Sequence, residues 1–209
     1  MPNVYFLLPC LSLILGYLAG RYRRWISENS GEAKIRQSLV NYCVDKDAHI
    51  LSNITLRLED GSTTQIDHIL VSTKGIFVIE AKNYKGMIIA DTRSKFWTQV
   101  VRNQEYNFQN PIFQNYKHVL AVQNLLDFLE PEFIYNIVIF TGEAKFKTTI
   151  PENVYYIKKL ISAIDGYSHD ILSLNRVQFC VGRLEYMRLE LTKKTDIEHK
   201  AYLIKKFGK

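Results

Sequence analysis

Two carboxylates and a lysine lie on either side of one short turn in this chain. Asp67 precedes the polar segment 72–75, and Glu80 and Lys82 follow it. Opposed positions of an antiparallel strand pair share a face, and the side-chain period along a strand is two. A four-residue loop therefore predicts that Asp67 faces Glu80 and that Lys82 projects from the same side. These residue types suit metal-assisted hydrolysis, in which carboxylates hold a cation and a lysine stabilises developing charge.

The predicted hairpin register pairs Val71 with Ile76 and Gln65 with Lys82. A loop of three or five residues would instead move Asp67 to the opposite face. Opposed carboxylates repel each other unless a cation neutralises them. A hard divalent ion with oxygen ligands is the natural neutraliser, Mg²⁺ being the best fit and Mn²⁺ the alternative. The competing interpretation is a solvated hairpin face with a salt bridge, which these residues alone do not exclude.

The flanking sequence predicts an α/β fold. Apolar residues at helical spacing predict a helix over 31–43, and Asn110-Pro111 begins a second helix that runs to about residue 129. Alternating or continuous apolar runs predict strands near residues 54–58, 65–71, 76–82, 87–90, 96–101, 135–141 and 154–157. The remaining C-terminal sequence has helical spacing, with a short basic helix expected over 195–207.

The composition is that of a folded domain with a mild basic excess. The 209 residues are 47% hydrophobic and 23% charged, which excludes a disordered or collagen-like chain. Three scattered cysteines without a CxxC motif exclude a disulfide scaffold and a cysteine zinc site. The net charge of +6 is consistent with a phosphate-bearing partner, although a solvated basic face has the same composition.

The first twenty residues predict a membrane anchor. Residues 2–20 are uncharged and apolar, and as a helix they are long enough to cross a bilayer. Arginines follow at once in the segment 21–29, which places the rest of the chain in the cytoplasm by the positive-inside rule. We therefore expect a single-pass protein of the cell membrane, with the lipid bilayer contacted through residues 1–20. A buried core helix interrupted by Pro9 and Gly16 is the alternative.

Four spaced blocks of sequence resemble the nuclease-related domain (NERD) family. They are SGEAKI from residue 30, QIDHILVSTKGIFVIEAKNYKG from residue 65, FW at 96–97 with NPIFQNYKH from residue 110, and the apolar run that ends FTG at residue 142. The resemblance covers about residues 30–142 in the family's order. It implies a restriction-endonuclease-like core of the PD-(D/E)xK superfamily, with a mixed central sheet flanked by helices, and it implies nuclease activity.

The same resemblance implies a metal shell. In it Asp67 and Glu80 are the central ligands, the backbone carbonyl of Ala81 adds an oxygen, and Glu32 of the first helix completes the set. Ala81 stands where the family more commonly has Val or Thr, a small change for a side chain that points away from the site. Glu32 also has a simpler interpretation, as a partner of the helix dipole.

The resemblance further implies catalytic and substrate-binding roles. Lys82 corresponds to the catalytic lysine, and we expect desolvation and the metal to depress its pKa. Gln114 and His118 lie one helical turn apart, so they share a face that could contact phosphate or orient water, or could be a plain polar face. Trp97 is expected to pack in the core, with stacking on an unpaired base as the alternative. The candidate contacts to nucleic acid are Lys85, Arg93, Lys95, Arg102, Lys117 and His118, the cations being simply solvated in the alternative view.

The sequence therefore predicts a membrane-anchored, Mg²⁺-dependent nuclease that hydrolyses phosphodiester bonds, with DNA as the expected substrate. The predicted order is an anchor at 1–20, a basic juxtamembrane linker at 21–29, the NERD nuclease-like core at 30–145 and a C-terminal helical extension at 146–209. One alternative is a non-catalytic, membrane-tethered protein that binds nucleic acid or acts as a scaffold. Another is a peripheral membrane protein whose basic tail docks on lipid.

Overall fold

A computed structural model describes residues 30–167 and 169–189 of the chain. The predicted anchor at 1–20, the linker at 21–29 and the basic helix at 195–207 lie outside the described residues. Among the helices that are described, none has the length and apolar character needed to cross a membrane.

The described residues form nine strands and four α-helices. The strands are β1 (Ala48–Arg57), β2 (Thr63–Ser72), β3 (Gly75–Lys82), β4 (Gly86–Ile89), β5 (Phe96–Val101), β6 (Gln104–Gln109), β7 (Ile134–Phe140), β8 (Ala144–Phe146) and β9 (Val154–Tyr156). The helices are α1 (residues 30–44), α2 (Pro111–Leu125), α3 (Leu160–Asp165) and α4 (Leu174–Met187). Strands β6 and β8 have no counterpart among the predicted strands, and α2 ends before the predicted residue 129.

The larger sheet has five strands in the order β1-β2-β3-β7-β9. Strands β1 to β3 form an antiparallel meander, whereas β7 and β9 join in parallel. Val71 pairs with Ile76, as the predicted four-residue loop requires. Both faces of this sheet are covered, which explains why β3 and β7 are continuous apolar runs in the sequence.

Helices pack on both faces of the larger sheet because its strands send alternate side chains to opposite sides. On one face, Leu39 of α1 and Ile164 of α3 share a core with Phe77 of β3. On the other face, Val122 of α2 packs in a core with Val78 of β3 and with residues of α4. The predicted mixed sheet flanked by helices is therefore confirmed.

A smaller sheet, in the order β6-β5-β4-β8, supports the end of the larger one. Ile88 of β4 and Trp97 of β5 share a third core with Phe140 of β7 and Val154 of β9, so this core joins the two sheets. The described part of the predicted extension 146–209 also enters the main fold. Strand β9 pairs with β7, and α4 contributes to the core beneath β1 and β2.

Candidate active site

The β2–β3 hairpin brings Asp67 against the end of β3. The ladder between the strands ends at His68 and Ile79, and Asp67 Oδ2 then accepts a hydrogen bond of 2.8 Å from the backbone N–H of Ala81. The predicted pairing of Gln65 with Lys82 is therefore wrong, because a carboxylate takes the place of the backbone partner. Across from Asp67 on β1, Asn53 has a φ of 54°. This left-handed conformation is one that asparagine tolerates, and Asn53 and Asp67 are left out of the pairing that joins β1 to β2 on either side of them.

Glu80 is the buried centre of the site, with only 3% of its surface exposed. Its Oε1 lies 2.6 Å from Lys82 Nζ, which also donates a hydrogen bond of 2.9 Å to Gln114 Oε1. Its Oε2 lies 3.4 Å from His118 Nε2. The structure thus brings together Glu80, Lys82 and Gln114, three of the residues predicted to be catalytic, with Asp67 on the neighbouring strand.

The carboxylates of the site act on one another's ionisation. Burial, followed by the negative charge of Glu80, raises the pKa of Asp67 well above its usual range. Burial and the same charge also raise the pKa of Glu32. Burial pushes the pKa of Glu80 upward too, but the neighbouring His118 and the Lys82 ammonium leave it below its ordinary value. Glu80 is therefore the member of the group that keeps its negative charge, and Asp67 and Glu32 feel that charge.

The pKa of Lys82 shifts in the direction opposite to the expected one. Burial alone would lower the pKa of Lys82, but the charge of Glu80 and the hydrogen bond to it outweigh burial, and the lysine pKa is raised. The expected depression is wrong for this arrangement, because the carboxylate lies two residues away on the same strand, at 2.6 Å. Lys82 therefore carries a positive charge in this arrangement.

The donor set fits a hard divalent cation in its chemistry. Glu32, Asp67 and Glu80 offer carboxylate oxygens. The pKa values of Glu32 and Asp67 are raised, and a bound cation would lower them because it favours the charged form. Across residues 30–167 and 169–189, however, no three His, Cys, Asp or Glu side chains already form a metal-binding cluster. The metal-binding roles of Glu32, Asp67, Glu80 and the Ala81 carbonyl therefore remain predictions.

His118 belongs to this buried site and not to the surface. It is 7% exposed, and its Nδ1 lies 2.7 Å from Thr64 Oγ1. Its Nε2 faces Glu80 and has no hydrogen-bond partner within the described residues. The predicted contact of His118 with nucleic acid does not fit this burial, because α2 presents the ring to the sheet. The sequence does not predict a role for Thr64, because this residue lies just before the QIDH motif and a lone threonine carries no chemistry by itself.

Two asparagines fix α2, and with it Gln114 and His118. Asn110 caps the helix, its side chain accepting a hydrogen bond of 3.0 Å from the N–H of Ile112. Asn115 is fully buried, and its Nδ2 donates to the carbonyls of Val78 at 2.8 Å and Ile137 at 3.1 Å. Because these carbonyls belong to β3 and β7, the amide ties the helix to the two central strands.

The first turn of α1 is fixed beside the same strands. His68 Nε2 donates to the backbone carbonyl of Glu32 at 3.1 Å, so its Nδ1 accepts from Ser52 Oγ at 2.9 Å. Burial lowers the pKa of His68 to about 4, which keeps the ring neutral. His68 is therefore a buried structural histidine, and it holds the backbone of Glu32 near the site.

A cleft of about 750 Å³ opens beside Lys82. Lys34 of α1 and Lys85 line it together with Tyr84 and with Gln99 of β5. Among the predicted contacts to nucleic acid, Lys85 lines this cleft. Four others are exposed elsewhere on the surface: Arg93, Lys95, Arg102 and Lys117. Lys34 and Tyr84 lie within the sequence blocks that carry the family resemblance, but neither residue has a spacing that predicts a place in the cleft.

Trp97 is part of the core. It is 1% exposed, and its Nε1 donates a hydrogen bond of 2.8 Å to the carbonyl of Asp91. Packing, the expected role, is confirmed, and the alternative role in base stacking does not fit such burial.

The chain is similar in sequence to known proteins over most of its length. Residues 27–141 match the family described as nuclease-related domain, and this segment includes Asp67, Glu80, Lys82 and Gln114. An uncharacterised protein of Bacillus anthracis is 32% identical over 183 residues, which cover 84% of each chain. No solved structure matches the chain significantly.

Proposed function

Because the chain belongs to the nuclease-related domain family, we propose that it is a metal-dependent nuclease that hydrolyses phosphodiester bonds, with DNA as its expected substrate. The observation that carries the proposal is the buried Glu80–Lys82–Gln114 cluster beside Asp67, at the end of a cleft lined by lysines. A protein that only binds nucleic acid has no need of carboxylates that raise one another's pKa, because they cost stability and repel the phosphates.

Asp67 and Glu80 are the residues that would hold the cation, with Glu32 and the Ala81 carbonyl as further oxygen donors. When bound, Mg²⁺ or Mn²⁺ supplies Lewis-acid activation of water and of the phosphate. Lys82 provides a positive charge next to the reacting phosphate, and its hydrogen bond to Gln114 holds the ammonium in place. Gln114, whose side chain is partly exposed, is placed to orient water or a phosphate oxygen.

We also propose that residues 1–20 attach this nuclease to the cell membrane, with the catalytic domain in the cytoplasm. Support comes from the uncharged apolar run 2–20 and from the arginines that follow it. A tethered nuclease would act on nucleic acid that comes near the inner surface of the membrane.

Cleavage assays test the proposed activity. The full-length protein in a mild detergent is incubated with circular DNA, linear DNA and RNA, in Mg²⁺, Mn²⁺ or EDTA. We expect metal-dependent cleavage, with the rate reduced at least about a hundredfold by Lys82→Ala or Glu80→Gln. Lys46→Ala is the matched control, because this lysine is exposed near the β2–β3 turn, at the opposite end of β3 from Lys82, and should leave the rate unchanged. Absence of cleavage with every substrate and metal, together with retained binding, would favour the non-catalytic alternative.

A further inference from the structure

We propose that the cleft beside Lys82 binds one unpaired strand of nucleic acid, with bases stacked on Tyr84 and Tyr106 and phosphates held by Lys34 and Lys85. The inference rests on the proposed function for its class of substrate, but it concerns recognition and requires no cleavage.

The charge and size of the cleft suit a single strand. Lys34, Lys82 and Lys85 line it and present cations to a phosphate backbone, opposed by the carboxylate of Glu143. Its volume of about 750 Å³ is in the range of pockets that enclose a drug-sized molecule, and a few nucleotides of one strand are of that order. A base-paired duplex would have to lie across the opening, with its bases away from the lining.

Tyr84 gives the cleft an aromatic wall. Its ring is half-buried and is held by a perpendicular contact with Phe108, at a centroid distance of 4.6 Å and an interplanar angle of 71°. Phe140 lies behind it at 6.3 Å. A ring that is already fixed by packing loses little freedom when a base stacks on it, and stacking on aromatic side chains tolerates every base.

Tyr106 lies on the smaller sheet, beside the lining residue Gln99 but not itself among the residues that line the cleft. It pairs directly with Gln99 across β5 and β6, and Gln99 lines the cleft. Directly paired residues project from the same face, so Tyr106 stands next to Gln99 on the side of the cleft. The ring is 50% exposed, and its hydroxyl donates to Gln104 Oε1. Apart from Phe108, which packs against Tyr84, the residues of β6 are exposed, and Tyr106 is the exposed aromatic residue of this strand.

Fluorescence anisotropy with the full-length protein tests the inference. The probes are a labelled single-stranded oligodeoxynucleotide, the matching duplex, an oligoribonucleotide of the same sequence and an abasic strand with the same phosphates. Binding is measured in EDTA and in Ca²⁺, with the integrity of each probe checked on a gel. The variants are Tyr106→Leu, Tyr84→Leu and Tyr84→Phe. Tyr116→Leu is the matched control, because Tyr116 is 53% exposed on α2, outside the cleft lining.

We expect the single strand to bind at least about tenfold more tightly than the duplex. Tyr106→Leu should weaken binding of the single strand by about tenfold, the order of one stacked base, and should leave binding of the abasic strand unchanged. Tyr84→Phe and Tyr116→Leu should bind like the unmodified protein. Equal affinity for the DNA and RNA strands would indicate recognition by base stacking alone. A difference between them would indicate that the sugar also contributes.

Equal affinity for single strand and duplex would overturn the inference, as would an unchanged affinity in Tyr106→Leu. Because that variant alters an exposed side chain, misfolding does not obscure the result, as it could with Tyr84→Leu. The two proposals fail separately. Cleavage with no preference for the single strand refutes this inference alone, whereas the expected binding pattern without any cleavage refutes only the nuclease.

Discussion

Glu80 is the residue around which the polar contacts of this site are arranged. Its two oxygens face different partners, the Lys82 ammonium at 2.6 Å and the His118 ring at 3.4 Å. Transfer of two charges from water into a protein interior costs several kcal/mol per ion, so such a pair persists only with good geometry and further hydrogen bonds. Gln114 supplies one of these bonds. The site therefore holds a cation and an anion close together, with the anion almost fully buried.

Removing the positive partner alone should destabilise the fold. In Lys82→Met the Glu80 carboxylate stays buried without its ammonium, and we expect a loss of about 3–5 kcal/mol in the free energy of unfolding. The double variant Glu80→Gln with Lys82→Met removes both charges and should recover most of that loss. Urea unfolding at pH 7, followed by circular dichroism, measures both variants.

Lys117→Met is the control for this comparison, because the exposed lysine should change stability by no more than about 0.5 kcal/mol. If the double variant is as unstable as Lys82→Met, the loss comes from packing of the lysine stem and not from an uncompensated charge.

Among the elements, the close approach of β7 to the segment after β3 shapes the cleft. A Cβ at Gly142, just beyond β7, would lie 2.0 Å from the carbonyl oxygen of Tyr84. A Cβ at Gly31, in the first turn of α1, would lie 2.4 Å from Thr141 Oγ1. Glycine at these two positions lets α1 and the segment after β7 come close to residues 83–84, after β3, at one end of the cleft, and the contact at Gly142 constrains the backbone of Tyr84.

Alanine at two glycines should therefore have opposite effects. Gly142→Ala forces the backbone of Tyr84 to move, and we expect a loss of about 1–3 kcal/mol in the free energy of unfolding. Gly182→Ala lies inside α4, where an added Cβ meets nothing within 4 Å, and should stabilise the protein by about 1 kcal/mol. Thermal and urea unfolding of the two variants provide the measurement. A neutral Gly142→Ala would show that the contact with Tyr84 relaxes at no cost.

The elements that sequence predicts well are those with a strong local pattern. The β2–β3 hairpin follows from apolar runs around a four-residue turn, and β7 follows from its continuous apolar sequence. Strand β6 is almost wholly exposed, so no hydrophobic period marks it, and its turn uses Arg102 and Asn103 at positive φ without a glycine. Strand β8 has three residues, too few to show a period.

At the scale of the whole molecule, the candidate site combines local and distant parts. The convergence of Asp67 and Glu80 is predictable, because one hairpin contains both. The burial of His118 and the cleft lining at Lys34 and Tyr84 are not, because they depend on how α2 and α1 dock against the sheets. Docking is set by contacts such as Asn115 with Val78, whose residues lie far apart in the chain.

The proposed membrane attachment concerns the whole chain, and fractionation tests it. We expect the full-length protein to remain with membranes after extraction at high salt and at alkaline pH, because a spanning apolar helix is not held by charge. Deletion of residues 1–20 should release the protein. Reversal of the tail charges at Lys205 and Lys206 serves as the control and should change nothing. Release by salt, or by the tail variant alone, would instead support a peripheral protein docked on anionic lipid.

The arrangement of the larger sheet also implies an order in which the site assembles during folding. Strands β1 to β3 are neighbours in sequence and pair through short turns, whereas β7 can pair with β3 only after a loop containing α2 and most of the smaller sheet has closed. Closure of long loops costs more entropy and makes such contacts slow to form. We therefore expect Asp67 and Glu80 to meet early in folding, before α2 delivers Gln114 and His118. Lys82, on the same strand as Glu80, is the cation that arrives with them.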